Sequence, residues 1–135
     1  MKRKISKLGN GIRHISKEEN GLTIGILNCP KDAFDDAVNY VSPSEFDAIM
    51  SMIDYDYLNV KPIKAIAIAD ERDTFNKETG YDIVDLKLSK KYYEKLSRQY
   101  THIIWMFWKL SNKLAKRREE INYKIKKLEK ELEKY

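Results

Sequence analysis

Arg98, His102, Trp105 and Lys109 follow one another at intervals of four, three and four residues. On a helix turning about 100° per residue, that spacing gathers all four on one side. An indole set among a guanidinium, an imidazole and an ammonium is an aromatic plate surrounded by cations. Such a plate can stack a nucleobase while its neighbours neutralise the attached phosphate. A second constellation is Arg72, Phe75 and Asn76. Asn76 is a plausible N-cap, the exposed N–H groups of a helix start favour anions, and Phe75 with Arg72 and Lys77 could add a stacking surface and two cations. Asp70, Glu71 and Asp73 oppose this by repelling phosphate, and a Phe before an N-cap is often a hydrophobic staple alone.

The first constellation lies within a longer bias. From Lys87 to Arg118 there are 10 basic side chains against one acid, Glu94. On a helical wheel most of them face away from the apolar residues, forming a positive ridge that attracts phosphate; the plainer reading is the solubilising face of a coiled coil. Catalytic chemistry finds little support. His14 and His102 have no Ser or Cys at a recognised motif spacing, a Walker loop is missing, and Asp35-Asp36 reads as a surface pair. His-x-x-x-His and Cys-x-x-Cys spacings are absent. The expectation is a protein that is not an enzyme and uses no cofactor and no metal.

The elements that must position these residues belong to one domain, since the chain has 135 residues. A charged fraction of 35% is balanced by 42% hydrophobic residues, too rich for a disordered chain. The net charge of +5 is unevenly spread: residues 1–20 carry 6 basic and 2 acidic groups, residues 21–80 carry 5 and 11, and residues 81–135 carry 15 and 8. The single cysteine, Cys29, excludes an internal disulfide framework. No apolar run approaches the roughly 18 residues of a membrane span, and Met1-Lys2-Arg3-Lys4 is not followed by a signal-type apolar stretch. A cytoplasmic protein without membrane contact is expected.

The first 76 residues read as a sheet-rich part. Ile5–Leu8, Asn10-Gly11 and Ile12–Ile15 predict a hairpin, because Asn-Gly supplies the positive φ angles of a two-residue turn. Glu19-Asn20-Gly21 is a second turn signal, and Leu22–Leu27 a third strand, stopped by Pro30. Lys31–Tyr40 is a candidate helix. Ser42-Pro43-Ser44-Glu45 combines an N-cap hydroxyl, a proline at the first helical position and a glutamate reaching back, so a helix is expected at about 43–54 with Phe46, Ile49, Met50 and Ile53 on its apolar face. Ile63–Ala69 alternates isoleucine with smaller or polar residues, as a strand with one large-residue face does.

Residues 77–135 contain no proline and only Gly80, so a single long helix is expected. Tyr92, Leu96, Tyr100, Ile103, Phe107, Leu110, Leu114, Ile121, Ile125, Leu128 and Leu132 share one seam for about eleven turns. A small sheet cannot cover so long a seam. Phe107, Leu114, Ile121, Ile125, Leu128 and Leu132 are therefore the expected interface of a homo-oligomer, a coiled-coil-like dimer in the simplest case. The alternative is a helical hairpin broken near Ser111-Asn112. The run Ile103–Trp108 is apolar all round, which calls for cover on several sides, from the sheet and from a partner helix. The fold class is α+β: a small antiparallel sheet with a short helix, then the long carboxy-terminal helix or hairpin.

Ala65-Ile66-Ala67 followed by Asp73-Thr74-Phe75-Asn76-Lys77-Glu78-Thr79-Gly80 resembles a segment of small phage and prophage proteins of low-GC Gram-positive bacteria. In those, an apolar-Ala strand precedes Asp-x-Phe-[Asp/Asn]-x-x-x-Gly and a long basic helix. Here Asp70-Glu71-Arg72 stands where a cysteine or histidine is common, and Lys87-Leu88 replaces a usual Arg-Ala. The resemblance implies a phage accessory protein in the host cytoplasm, in the manner of the anti-Thoeris sponges that sequester cyclic ADP-ribose-type signals. Three expectations stand together: a sponge for a small anionic nucleotide, a nucleic-acid binder using the basic helix, and an inhibitor docking on a host protein through Trp105 and Trp108 or the acidic middle.

Overall fold

Period-two alternation in the amino-terminal part and helical periodicity after residue 76 divide the chain into a sheet and a long helix. The structure, a computed structural model, describes residues 9–17, 21–53, 61–69 and 76–135. Two strands, β1 (Gly9–Lys17) and β2 (Leu22–Pro30), are followed by short helices α1 (Ala33–Ala37) and α2 (Pro43–Met52), strand β3 (Ile63–Ile68) and helix α3 (Lys77–Leu132). The sheet is antiparallel in the order β1-β2-β3, with Lys17 opposite Leu22 and Leu22 opposite Ile68. The α+β expectation holds.

Asn10-Gly11 does not turn the chain. Both lie within β1, opposite the end of β2, where Asn10 pairs with Cys29 and Ile12 with Leu27. The positive φ of Gly11, 76°, deforms the strand locally, and the Asn28 amide donates to its carbonyl at 2.6 Å. Ile5–Leu8 falls outside the described residues. β1 instead ends at Lys17, opposite Leu22, and Gly21 has φ 58°; Glu19-Asn20 of the second turn signal lies outside the described residues. β2 also runs on to Pro30, which pairs with Gly9 at the ladder's end.

The helix expected over Lys31–Tyr40 is one short turn, α1. Asp32 caps it by accepting from Asp35 N at 2.9 Å, and the buried side chain of Gln99 accepts from Ala33 N at 2.9 Å. At α2 the capping box is complete: Glu45 N donates to Ser42 Oγ and Ser42 N to Glu45 Oε1. These hydrogen bonds hold the Glu45 carboxyl below the ordinary glutamate range. Ile49 and Ile53 are buried, and Phe46 meets Phe34 edge-on at 6.3 Å.

β3 alternates as expected, but the faces are reversed relative to residue size. Ile63, Ala65 and Ala67 are buried, whereas Ile66 and Ile68 are 41% and 72% exposed. The reason is the approach of α3. A Cβ on Gly25 would lie 2.9 Å from Leu88 Cδ1, and one on Gly80 would overlap Thr23 Oγ1. Where the helix comes this close only small side chains fit, so the inner face there is built from Thr23, Gly25, Ala65 and Ala67, while the larger Leu27 and Ile63 are buried as a pair at the end of the β2–β3 ladder.

α3 is unbroken through Ser111-Asn112, so the hairpin alternative falls. Two poor helix formers cost a few tenths of a kcal/mol each, too little to stop a helix rich in Lys, Leu and Glu. The chain clusters into two units, Met1–Tyr100 and Thr101–Tyr135. In the first, α3 contributes Val84, Leu88, Tyr92 and Leu96 to the core. The second is helical, with Ile103 buried and Leu114, Leu128 and Leu132 each more than half exposed.

Candidate anion-binding face

Helical spacing within the second unit brings three of the sequence-derived residues together. Lys109 Nζ stands 4.3 Å from the centroid of the Trp105 ring, a cation–π contact, and the His102 ring is 6.1 Å from that of Trp105. Trp105 is 48% exposed, leaving indole surface open to solvent. Next along the helix, Phe107, Leu110, Ser111, Leu114, Ala115 and Arg118 line an open groove of about 440 Å³. Residues 101–118 contain no acid and five cations, Lys109, Lys113, Lys116, Arg117 and Arg118. Arg117 pairs with Glu120 at 3.1 Å. The arrangement can stack a flat π system and hold an anion beside it.

The remaining candidates are placed differently. Arg98 is exposed on α3 within the first unit. Asn76 is the N-cap of α3: its Oδ1 accepts from Glu78 N at 3.0 Å and Thr79 N at 3.3 Å, so the amide is committed to the helix. Arg72 and Phe75 lie outside the described residues. Of the interface residues, Phe107 is half-buried and Leu114, Ile121, Ile125, Leu128 and Leu132 are exposed. Within the apolar run, Ile104 and Trp108 are exposed as well.

The proximal part of the ridge is partly engaged. Lys87 and Lys91 donate to the carbonyls of Ile66 and Lys64 at 2.8 and 2.7 Å, covering the β3 edge that no described strand pairs, and Lys90 reaches Glu94 at 3.7 Å. Burial, and after it the nearby Arg98 and Lys61, holds the Lys95 ammonium below the usual lysine range.

Long-range polar contacts of the first unit are absent from the sequence reading. His14 Nε2 lies 2.6 Å from Asp85 Oδ1 and its ring stacks on Tyr81 at 4.7 Å. The Tyr100 hydroxyl donates to Asp36 Oδ2 at 2.5 Å. Burial, together with that bond, raises the Tyr100 pKa, and burial beside Asp36 pushes Tyr92 up to about 12. Seventy-one residues separate His14 from Asp85, and no local motif signals such a pair. Among the described residues no group of three or more His, Cys, Asp or Glu side chains could hold a metal ion, and no helix is long and apolar enough to cross a membrane.

No family model, curated protein or solved structure matches the chain.

Proposed function

We propose that the protein is a non-catalytic binder of an anionic nucleotide, which stacks on Trp105 and places its phosphate among His102, Lys109 and the cations that follow. The observation that carries this reading is a half-exposed indole beneath Lys109, on a helical stretch that holds five cations and no acid. A free cyclic nucleotide and a nucleotide within a strand present the same chemistry, a base with its phosphate. The resemblance around Asp73–Gly80 to phage proteins favours the free signal, and hence a counter-defence sponge acting in the host cytoplasm. The three turns of cations beyond Trp105 favour a strand, whose successive phosphates they could track. In either case the exposed apolar side chains from Leu114 to Leu132 favour a homodimer in which a second helix walls the groove at Phe107–Arg118.

Calorimetry with cyclic ADP-ribose-type and cyclic dinucleotide signals, beside anisotropy with a labelled single-stranded oligonucleotide, separates the two sources. A strand binder loses affinity steeply with salt, with a slope of about 0.7 per phosphate engaged. Trp105→Ala should weaken whichever ligand binds by about ten- to a hundredfold, the worth of one stacked base. Folded protein that binds neither class removes the proposal.

A further inference from the structure

The inner face of the sheet is closed by α3; the outer face carries the large aliphatic side chains. The ladder registers place Arg13, Ile26 and Lys64 in one row, Ile15, Ile24 and Ile66 in the next, and Lys17, Leu22 and Ile68 in the third. Alternation puts all nine on the face opposite His14, Gly25 and Ala65. Six are aliphatic, and cations occupy three corners, with no acid among the nine. Lys87 and Lys91, bonded to the β3 edge, add positive charge along that side. Ile66 and Ile68 remain 41% and 72% exposed. Ile15, Leu22, Ile24 and Ile26 are half-buried. A surface strand normally turns polar residues outward, and among the described residues no element packs over these isoleucines in the way α3 packs on the inner face.

We infer that this outer face is a docking surface for an acidic amphipathic helix of a partner protein, which lays an apolar stripe across Ile24 and Ile66 and sets carboxylates against Arg13, Lys17 and Lys64. Two arguments select that occupant. Three strands spaced about 4.8 Å apart span about 10 Å, the diameter of one helix, and a helix is the usual cover of a sheet face. The cationic rim complements acidic flanks and repels both a second copy of the same face and the lysine-rich distal part of α3. An anionic membrane would also meet the rim, but the patch lacks the Trp and Tyr side chains that settle at lipid interfaces. The surface is independent of Trp105 and of the nucleotide reading.

The test uses the full chain and three probes: a labelled amphipathic peptide with a leucine stripe flanked by glutamates, the same peptide with lysines in place of the glutamates, and phosphatidylglycerol-containing vesicles. The glutamate peptide should bind, more weakly as salt rises, with methyl NMR shifts confined to Ile15, Ile24, Ile26, Ile66 and Ile68. Ile66→Asp should weaken it by about tenfold or more by placing a carboxylate in the apolar row. Lys64→Glu, a change at an exposed position that leaves packing intact, should weaken the glutamate peptide and improve the lysine peptide. Trp105→Ala should leave peptide binding unchanged. Equal binding of both peptides, shifts that map to the distal helix, binding to vesicles alone, or no binding to any probe would each overturn the inference.

Discussion

Gly80 shows how much one atom governs. It sits in the first turn of α3 against Thr23, a residue of the central strand that is 1% exposed and whose hydroxyl is buried without a hydrogen-bond partner among the described residues. Adding a methyl group there forces helix and sheet apart, and overpacking of this kind costs about 1–3 kcal/mol. Gly80→Ala should therefore lower the urea midpoint, even though alanine favours a helix interior by about 1 kcal/mol. In a Thr23→Ala background the obstructing Oγ1 is gone and only the tight but tolerable approach to the residue's Cβ, 3.1 Å, remains, so the same substitution should cost less than half as much. Additive effects across that double-mutant cycle would show that the contact is not what limits the approach. Other residue-scale features were readable in advance because they are local: His102, Trp105 and Lys109 meet through helical spacing alone. The His14–Asp85 and Tyr100–Asp36 contacts were not, because each joins elements whose packing no short stretch encodes.

At the scale of elements, the same distinction separates what the sequence discloses from what it withholds. The capping box at Ser42–Glu45 announces α2, since all its donors and acceptors lie within four residues. The alternation of β3 announces a strand, yet hydrophobicity points to the wrong inner face. The deciding quantity is the distance of closest approach of α3, set by Gly25 and Gly80 on other elements. Asn10-Gly11 misleads for a related reason: Gly11 alone takes a positive φ, Asn10 does not, and the flanking residues continue the ladder instead of reversing. This reading predicts an inversion of ordinary hydrophobic logic. Ala67→Ile, which adds apolar surface to a buried position, should destabilise by about 1–3 kcal/mol. Ile68→Thr, which removes it from a 72% exposed position, should stay within about 0.5 kcal/mol. Chemical denaturation of the two variants checks the order; if Ile68→Thr is the more damaging, the outward isoleucines are covered in the folded chain.

For the molecule as a whole, the question is what sustains the helix beyond Tyr100. In the first unit, burial of Val84, Leu88, Tyr92 and Leu96 stabilises α3 through packing. In the second, Leu114 is 61% exposed and Leu132 70% exposed, so packing within one chain contributes little there. Ion pairs such as Arg117–Glu120 add only a few tenths of a kcal/mol each, and isolated helices in water are marginal without a buried face. Ile121, Ile125, Leu128 and Leu132 are spaced at four, three and four residues, the repeat that lets two helices interlock along a seam. Pairing with a second copy would supply the missing burial, and it would double the density of cations near the groove that the proposed nucleotide site needs. Ile125→Asp should then convert a dimer to a monomer, because an unpaired carboxylate in that seam is expensive to desolvate. Its mass by light scattering should fall by half, and helicity should drop with it, since the distal turns lose the surface that holds them. A wild-type chain that is monomeric at every concentration while keeping full helicity would mean the distal helix stands on propensity alone, and the nucleotide would then have to bind a single exposed face.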